Sequence, residues 1–256
     1  MTVSRQDFED AVAAYWGTKQ TQDNEAKIKQ KAGSGTAGSV RAGKHFDPIV
    51  TLLARFFQEA GYPPDAIRVS RKQGLELPGY YRPQKQWDLV VAYENTLVAA
   101  FELKALGGPS FGNNYNNRVE EALGSAVDLR RAAIADLYPG EKPWLGYFFI
   151  MQDEEGSRRE VKPAKGALPV EPIWHTTSYQ ERFGIFCQRL MAEQLYDAVC
   201  YVTSSATDPK PNEPVAGLDW RHFSAAINAR IGYLRDLGLP KPHWPPSPLF
   251  GDPSQG

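Results

Sequence analysis

The sequence predicts an α/β domain with a central mixed β-sheet flanked by helices. Three observations carry that class. First, two apolar runs, Leu89–Tyr93 and Leu97–Phe101, are joined by a short polar turn at Glu94-Asn95, the signature of an antiparallel hairpin. Second, Arg118–Ile134 has helical periodicity. Third, Trp144–Ile150 is a near-continuous apolar run of buried-strand type. A buried strand, a helix and another buried strand make a βαβ unit, for which a right-handed crossover is expected. A chain of 256 residues can bury a proper core as one domain with extensions or as two small ones.

From the N-terminus, Phe8–Trp16 reads as a short amphipathic helix with Phe8, Val12, Tyr15 and Trp16 on one side. Between Gly17 and Lys44, the bases Lys19, Lys27, Lys29, Lys31, Arg41 and Lys44 outnumber Asp23 and Glu25. Gly33, Gly35, Gly38 and Gly43 are interspersed. Such a segment is either a solvated linker or an arm that settles on phosphates. Asp47-Pro48 reads as a helix start, with Asp47 as N-cap; Ile49, Leu52, Leu53, Phe56 and Ala60 keep helical spacing up to Gly61.

Ile67–Tyr81 is expected to be a short strand and a loop through Pro78-Gly79. After the hairpin, Gly107–Asn117 reads as a polar loop that ends on Asn117 as N-cap. The following helix turns Val119, Ala122, Leu123, Ala126 and Leu129 to one face. Gln152–Pro172 is charged and contains proline, so an exposed loop is expected. Ser178-x-x-Glu181 is a capping box for a helix reaching about Tyr196. Ala198–Thr203 is another buried strand. Asp219 caps a last helix that presents Trp220, Phe223, Ile227, Ile231 and Leu234. The expected division is 1–44 as helix and basic arm, 45–239 as the α/β domain, and 240–256 as a proline-rich tail.

Composition is that of an ordinary globular protein, with a formal net charge of −1, which neither favours nor excludes a polyanionic partner. No apolar stretch is long enough to cross a bilayer, and the first residues lack the apolar core of a signal peptide. A cytoplasmic location is therefore expected. Cys187 and Cys200 are expected to be reduced core thiols, and Trp87 a core residue. The four histidines have no metal-ligand spacing.

The chemistry concentrates at Asp88 and at Glu102-Leu103-Lys104. On a strand, successive side chains alternate faces, so Glu102 and Lys104 share one face and Leu103 takes the other. Two carboxylates beside an ammonium suit phosphodiester hydrolysis. Asp88 and Glu102 can hold Mg²⁺, with the Leu103 carbonyl as an added ligand, and Lys104 can hold or help deprotonate a water. Lys104 could act as a base only with a depressed pKa. Charged groups at the end of a buried strand are costly unless paired or metal-bound, which sets this Glu-x-Lys apart from those on exposed strands. Asn113, Asn114, Asn116, Asn117 and Arg118 form a second cluster. Asn can contact adenine bidentately and Arg guanine, so a DNA-contacting loop is expected beside the acids; an Asn-rich turn is the structural alternative.

With these residues assembled, the chain resembles the XhoI family of Type II restriction endonucleases. The resemblance lies in Leu75-Glu-Leu-Pro-Gly-Tyr-Tyr-Arg-Pro, Trp87-Asp-Leu-Val-Val, Phe101-Glu-Leu-Lys-Ala, the long stretch from Gly108-Pro-Ser-Phe-Gly-Asn-Asn to Leu129, and Trp144–Ile150. It implies a PD-(D/E)xK nuclease fold, a homodimer, Mg²⁺ dependence and cleavage of unmethylated duplex DNA. The implied site is CTCGAG, cut after the first C to leave 5′ overhangs, with a DNA methyltransferase of the same site as functional partner. The fold's site residues map onto Asp88, Glu102 and Lys104; Trp87 stands where the motif's name has proline. Arg41, Lys44 and the lysines before them would then contact phosphates. A structure-directed nuclease of the same fold and a silent sequence-specific DNA binder are the competing expectations.

Overall fold

The computed structural model describes residues 3–31 and 44–241. Its centre is a five-stranded sheet in the order β1 (Ile67–Arg68), β4 (Leu89–Tyr93), β5 (Thr96–Leu106), β6 (Leu145–Gln152), β9 (Ala198–Ser204). Between β1 and β4 lie β2 (Glu76–Pro78) and β3 (Gln84–Gln86), which pair with each other as a separate hairpin. A third pair is formed by β7 (Glu160–Val161) and β8 (Thr177–Ser178). The central sheet is mixed as expected: β4 and β5 are antiparallel, while β5 with β6 and β6 with β9 are parallel. The β4–β5 turn is tight because Glu94 (φ 45°) and Asn95 (φ 63°) both take left-handed angles, the requirement of a two-residue hairpin turn whose twist matches the strands.

Helices cover both faces. These are α1 (Arg5–Lys31), α2 (Asp47–Glu59), α3 (Phe111–Ile134), the single turn α4 (Glu155–Arg158), α5 (Tyr179–Ala192) and α6 (Trp220–Asp236). Alternation along the strands divides the core. Phe101, Leu103, Phe148, Ile150, Cys200 and Val202 pack with α1, α2 and α6. Ala100, Tyr147, Phe149, Met151 and Tyr201 pack with α3 and α5. The second layer places α3 over the end of β5, and so positions the site. Cys187 and Cys200 are buried free thiols, as expected, and Trp87 is 1 % exposed. No helix among the described residues is long and apolar enough to cross a membrane.

Several boundaries differ from expectation. The first helix does not stop at Trp16 but runs through Gly17 to Lys31. Thr18–Lys31 contains no further Gly or Pro, and one glycine costs about 1 kcal/mol, too little to end a helix anchored by buried Phe8, Val12, Tyr15 and Trp16. Asp47 is not an N-cap. A 3₁₀ turn, Lys44–Phe46, leads straight into α2, and Phe46 at the cap position is itself helical (φ −85°, ψ −8°), so Asp47 is the first helical residue. The asparagine stretch is not a loop: α3 begins at Phe111, with Ser110 rather than Asn117 at the cap. Phe111 and Tyr115 stack on or tilt against Tyr179, and Tyr115 also meets Phe183. These aromatic anchors, four residues apart, outweigh the weak helix propensity of the asparagines. The charged stretch Gln152–Pro172 is not a bare loop: a capping box between Glu154 and Ser157 starts α4, and Glu160–Val161 pairs with β8. α5 ends at Ala192 rather than near Tyr196, because Gln194 turns left-handed just after its C-cap. The tail from 242 lies outside the described residues.

Candidate active site

Asp88 immediately precedes β4, and β5 delivers Glu102 and Lys104 to the α3 side. Leu103 turns away into the other core layer and is 2 % exposed. The Asp88 N–H donates to the Phe101 carbonyl (3.1 Å). Asp88 Oδ2 accepts the Leu103 N–H at 2.7 Å. The hairpin thus pins one acid against the backbone between the other acid and the lysine. Lys104 Nζ contacts Glu102 Oε1 and lies 3.8 Å from Asp88 Oδ2. The three residues that the sequence singled out therefore converge around one ammonium group.

A second lysine completes the arrangement. Lys85 Nζ lies 2.5 Å from Glu102 Oε2, donates to the Gln86 carbonyl at 2.9 Å, and sits 4.3 Å from the centre of the Trp87 ring. Each oxygen of the buried Glu102 carboxylate thus carries an ammonium partner. Sequence reasoning missed Lys85 because the short pairing of Gln84–Gln86 with β2 has no apolar run to reveal it. The same hairpin supplies Arg82. Arg82, Lys85, Asp88, Glu102, Lys104 and Arg118 line one cleft of about 650 Å³.

The electrostatics follow from burial and pairing. Burial opposes the charge on Glu102, but Lys104 and Lys85 overcome it and hold the carboxyl below its usual range. Burial and the nearby Glu102 charge push Asp88 up, against the pull of Lys104 and the Leu103 amide. Burial would lower Lys104, yet Glu102 and Asp88 raise it. In this arrangement Lys104 is a held ammonium group, not a free base. A group of three or more His, Cys, Asp or Glu ligands is absent among the described residues. Mg²⁺ does not need one, because it commonly takes one or two carboxylates and keeps several waters. A buried all-oxygen pair, one member of which is pushed up by burial and then by its neighbour's charge, fits a hard divalent cation.

The asparagine cluster is only partly drawn in. Arg118 reaches the cleft and pairs with Glu121. Asn113 lines a separate cavity of about 340 Å³ with Phe111, Arg159 and Tyr179. Asn114 is half-buried, while Asn116 and Asn117 are exposed, and none of these three lines either cavity. Lys44 opens the turn before α2, with its side chain outside the described residues, as is all of Arg41. The side chains of Lys27, Lys29 and Lys31 are likewise not described. His45, not foreseen as a site residue, also borders the cleft.

Residues 25–213 match the family model described as Restriction endonuclease XhoI. The chain belongs to the XhoI restriction endonuclease family. Among curated proteins it is 37 % identical over 184 residues to Type II restriction enzyme BstVI of Geobacillus stearothermophilus, covering 69 % of this chain and 81 % of that one. It is 36 % identical over 185 residues to Type II restriction enzyme XhoI of Xanthomonas vasicola, covering 70 % and 72 %. Type II restriction enzyme AbrI of Azospirillum brasilense is 36 % identical over 155 residues, covering 59 % and 68 %. No solved structure matches the chain. The matched span of the XhoI family holds Arg82, Lys85, Asp88, Glu102, Lys104 and α3, and ends before α6.

Proposed function

We propose that this restriction endonuclease is a Mg²⁺-dependent homodimer that hydrolyses double-stranded DNA at CTCGAG. Cleavage after the first C would leave 5′ overhangs with 5′-phosphates. The observation that carries the reading is the convergence of Asp88, Glu102 and Lys104 at the end of β5, in a chain of the XhoI family. The fold we assign on this basis is the PD-(D/E)xK nuclease core, and the protecting partner is a DNA methyltransferase acting on the same site.

Asp88 and Glu102 would hold the cation, with the Leu103 carbonyl as a further ligand. Bound there, Mg²⁺ would supply charge stabilisation at the phosphate and help activate the attacking water. Lys104, kept charged by its two acids, orients the attacking water and offsets negative charge on the scissile phosphate. Lys85 fixes the rotamer of Glu102 from its other oxygen. Asn113, Asn114, Asn116, Asn117 and Arg118, at the start of α3, approach the DNA. Arg41 and Lys44 add phosphate contacts, which give affinity and salt dependence but little specificity.

The test is a digest of two otherwise identical unmethylated plasmids, with and without one CTCGAG, in Mg²⁺ and in EDTA, with the cut ends sequenced. Cutting of the first alone, only in Mg²⁺, with 5′ overhangs, is expected. Cutting of both at another shared sequence would overturn the assigned site, cutting without sequence preference would favour a structure-directed nuclease, and no cutting would leave a silent binder.

A further inference from the structure

The turn between β2 and β3 is held more firmly than a surface loop needs. Asp128, on α3, is buried, with its side chain 5 % exposed. Its Oδ1 accepts the N–H groups of Tyr80 and Tyr81, each at 2.8 Å, and its Oδ2 accepts Arg82 Nε at 2.6 Å. Gly79 lies so close that a Cβ there would stand 2.5 Å from Asp128 Oδ2 and 2.8 Å from the Arg82 carbonyl. The Tyr138 hydroxyl donates to the Pro78 carbonyl at 2.6 Å. One carboxylate thus fixes three consecutive residues across 46 to 48 positions of sequence.

What this fixed backbone presents is unusual. Tyr80 and Tyr81 remain 49 % and 68 % exposed, with their rings edge to face at 5.0 Å and Arg131 over Tyr80 at 5.4 Å. Arg82 is bound to Asp128 through Nε and lines the cleft with Lys85, Asp88, Glu102 and Lys104. Its terminal guanidinium nitrogens make no hydrogen bond among the described residues and so can take a ligand. Two aromatic rings held in water forgo burial. The turn is built to present groups rather than to fill space. Guanidinium matches phosphate geometry, and tyrosine hydroxyls commonly donate to phosphate oxygens.

We propose that Gly79–Arg82 is a clamp for the DNA backbone beside the acid–lysine site, with Arg82 as the phosphate ligand and Asp128 as its positioning residue. This rests on reading the protein as a DNA endonuclease. The contact is to backbone, so it sets the register of the duplex over Glu102 and Lys104 without itself reading sequence.

The experiment titrates the full-length protein into two labelled duplexes, one with CTCGAG and one with the hexamer scrambled, in Ca²⁺ in place of Mg²⁺ over a range of NaCl. Loss of one phosphate contact lowers the slope of log K against log salt by about 0.9. Arg82→Ala is expected to do this on both duplexes and to weaken both alike, whereas Arg82→Lys keeps most of the slope. Asp128→Asn, shown to be folded by its thermal transition, is expected to shift the slope toward that of Arg82→Ala. An unchanged slope and affinity in Arg82→Ala, with wild type binding normally, would overturn the clamp alone. An Asp128→Asn protein that melts earlier yet binds as wild type would reduce Asp128 to a structural role. A collapse of preference between duplexes at constant slope would make the turn a base reader. Wild-type protein that binds neither duplex would sink both the endonuclease reading and the clamp.

Discussion

At the scale of single residues, Glu102 is the hinge of the proposed chemistry, because both of its oxygens are engaged by ammonium groups. Lys104→Ala is expected to lower kcat by about 10²–10⁴-fold while specific DNA binding persists, since an interaction made mainly in the transition state affects rate rather than binding. A folded Lys104→Ala protein that no longer binds its site would remove the assigned role. Lys85→Ala should have a smaller effect, as Lys104 still restrains Glu102; equal losses in the two variants would mean that Lys85 itself meets the substrate. Asp128 gives a stability test. Its hydrogen bonds to Tyr81, Arg82 and Tyr80 overcome burial and hold the carboxyl below the ordinary range. A depressed folded pKa contributes stability that is present above the unfolded value, about 4, and lost as pH falls through the folded one. The unfolding free energy of wild type should exceed that of Asp128→Asn by about 2 kcal/mol at neutral pH, and denaturant titrations should find the gap closing below pH ~4. A gap that stays constant into acid would contradict the charged-acceptor role. Asp88, Glu102 and Lys104 were legible in the sequence because a hairpin and strand alternation, both local, suffice to gather them. Arg82 and Asp128 were not, because their meeting depends on α3 crossing a hairpin some 46 residues away, which no local pattern encodes; Lys85 was not, because the short β2–β3 pairing that carries it to Glu102 has no apolar run.

At the scale of elements, helix ends separate what could be read from what could not. α2, α3, α5 and α6 all end alike: the residue after the C-cap is left-handed, and the next N–H returns to a carbonyl in the last turn, as in Tyr62 to Phe57, Leu137 to Ala132, Leu195 to Leu190 and Leu239 to Leu234. Gly61 (φ 90°) and Gly238 (φ 85°) take the left-handed position in two of them, and Gly61 was an evident stop. Asp136 (φ 59°) and Gln194 (φ 56°) take it in the others, without a glycine to mark the place. The end of α3 was nevertheless expected at Ile134, where it lies, whereas that of α5 overran to about Tyr196. A non-glycine residue in this conformation costs roughly 1 kcal/mol or more. Gln194 is exposed, so Gln194→Gly should stabilise the protein by about 0.5–1 kcal/mol. Gly61→Ala should destabilise it by a similar amount. Chemical denaturation of the two variants checks the pair, and a loss of stability in Gln194→Gly would show that its side chain holds a contact worth more than the strain. The start of α3 failed for a different reason: asparagine propensity favours turns, but packing of Phe111 and Tyr115 against Tyr179 decides the outcome, and that packing is tertiary.

At the scale of the whole molecule, the formal charge of −1 conceals a sharp local arrangement. Arg82, Lys85, Lys104 and Arg118 share one cleft with Asp88, Glu102, Glu120 and Glu121, so its bases are matched by acids, and a divalent cation held there would tip the balance toward a phosphate backbone. A palindrome presents the same half-site twice, related by a two-fold axis, and a homodimer with one cleft per strand is its natural reader. Each protomer should then cut one strand independently of its partner's chemistry. Wild-type and Glu102→Gln chains carrying different tags, co-expressed and purified through both tags in succession, would isolate mixed dimers. These should convert supercoiled one-site plasmid to nicked circles and stop there, whereas wild-type dimers proceed to linear DNA. Linear product from mixed dimers at the wild-type rate would mean that one active site cuts both strands, or that protomers exchange or act singly. Failure to recover any doubly tagged protein, under conditions in which wild type cleaves, would count against the dimer itself. The nicking result would tie the acid–lysine site of one chain to one strand of DNA, which neither a monomeric nuclease nor a silent binder can reproduce.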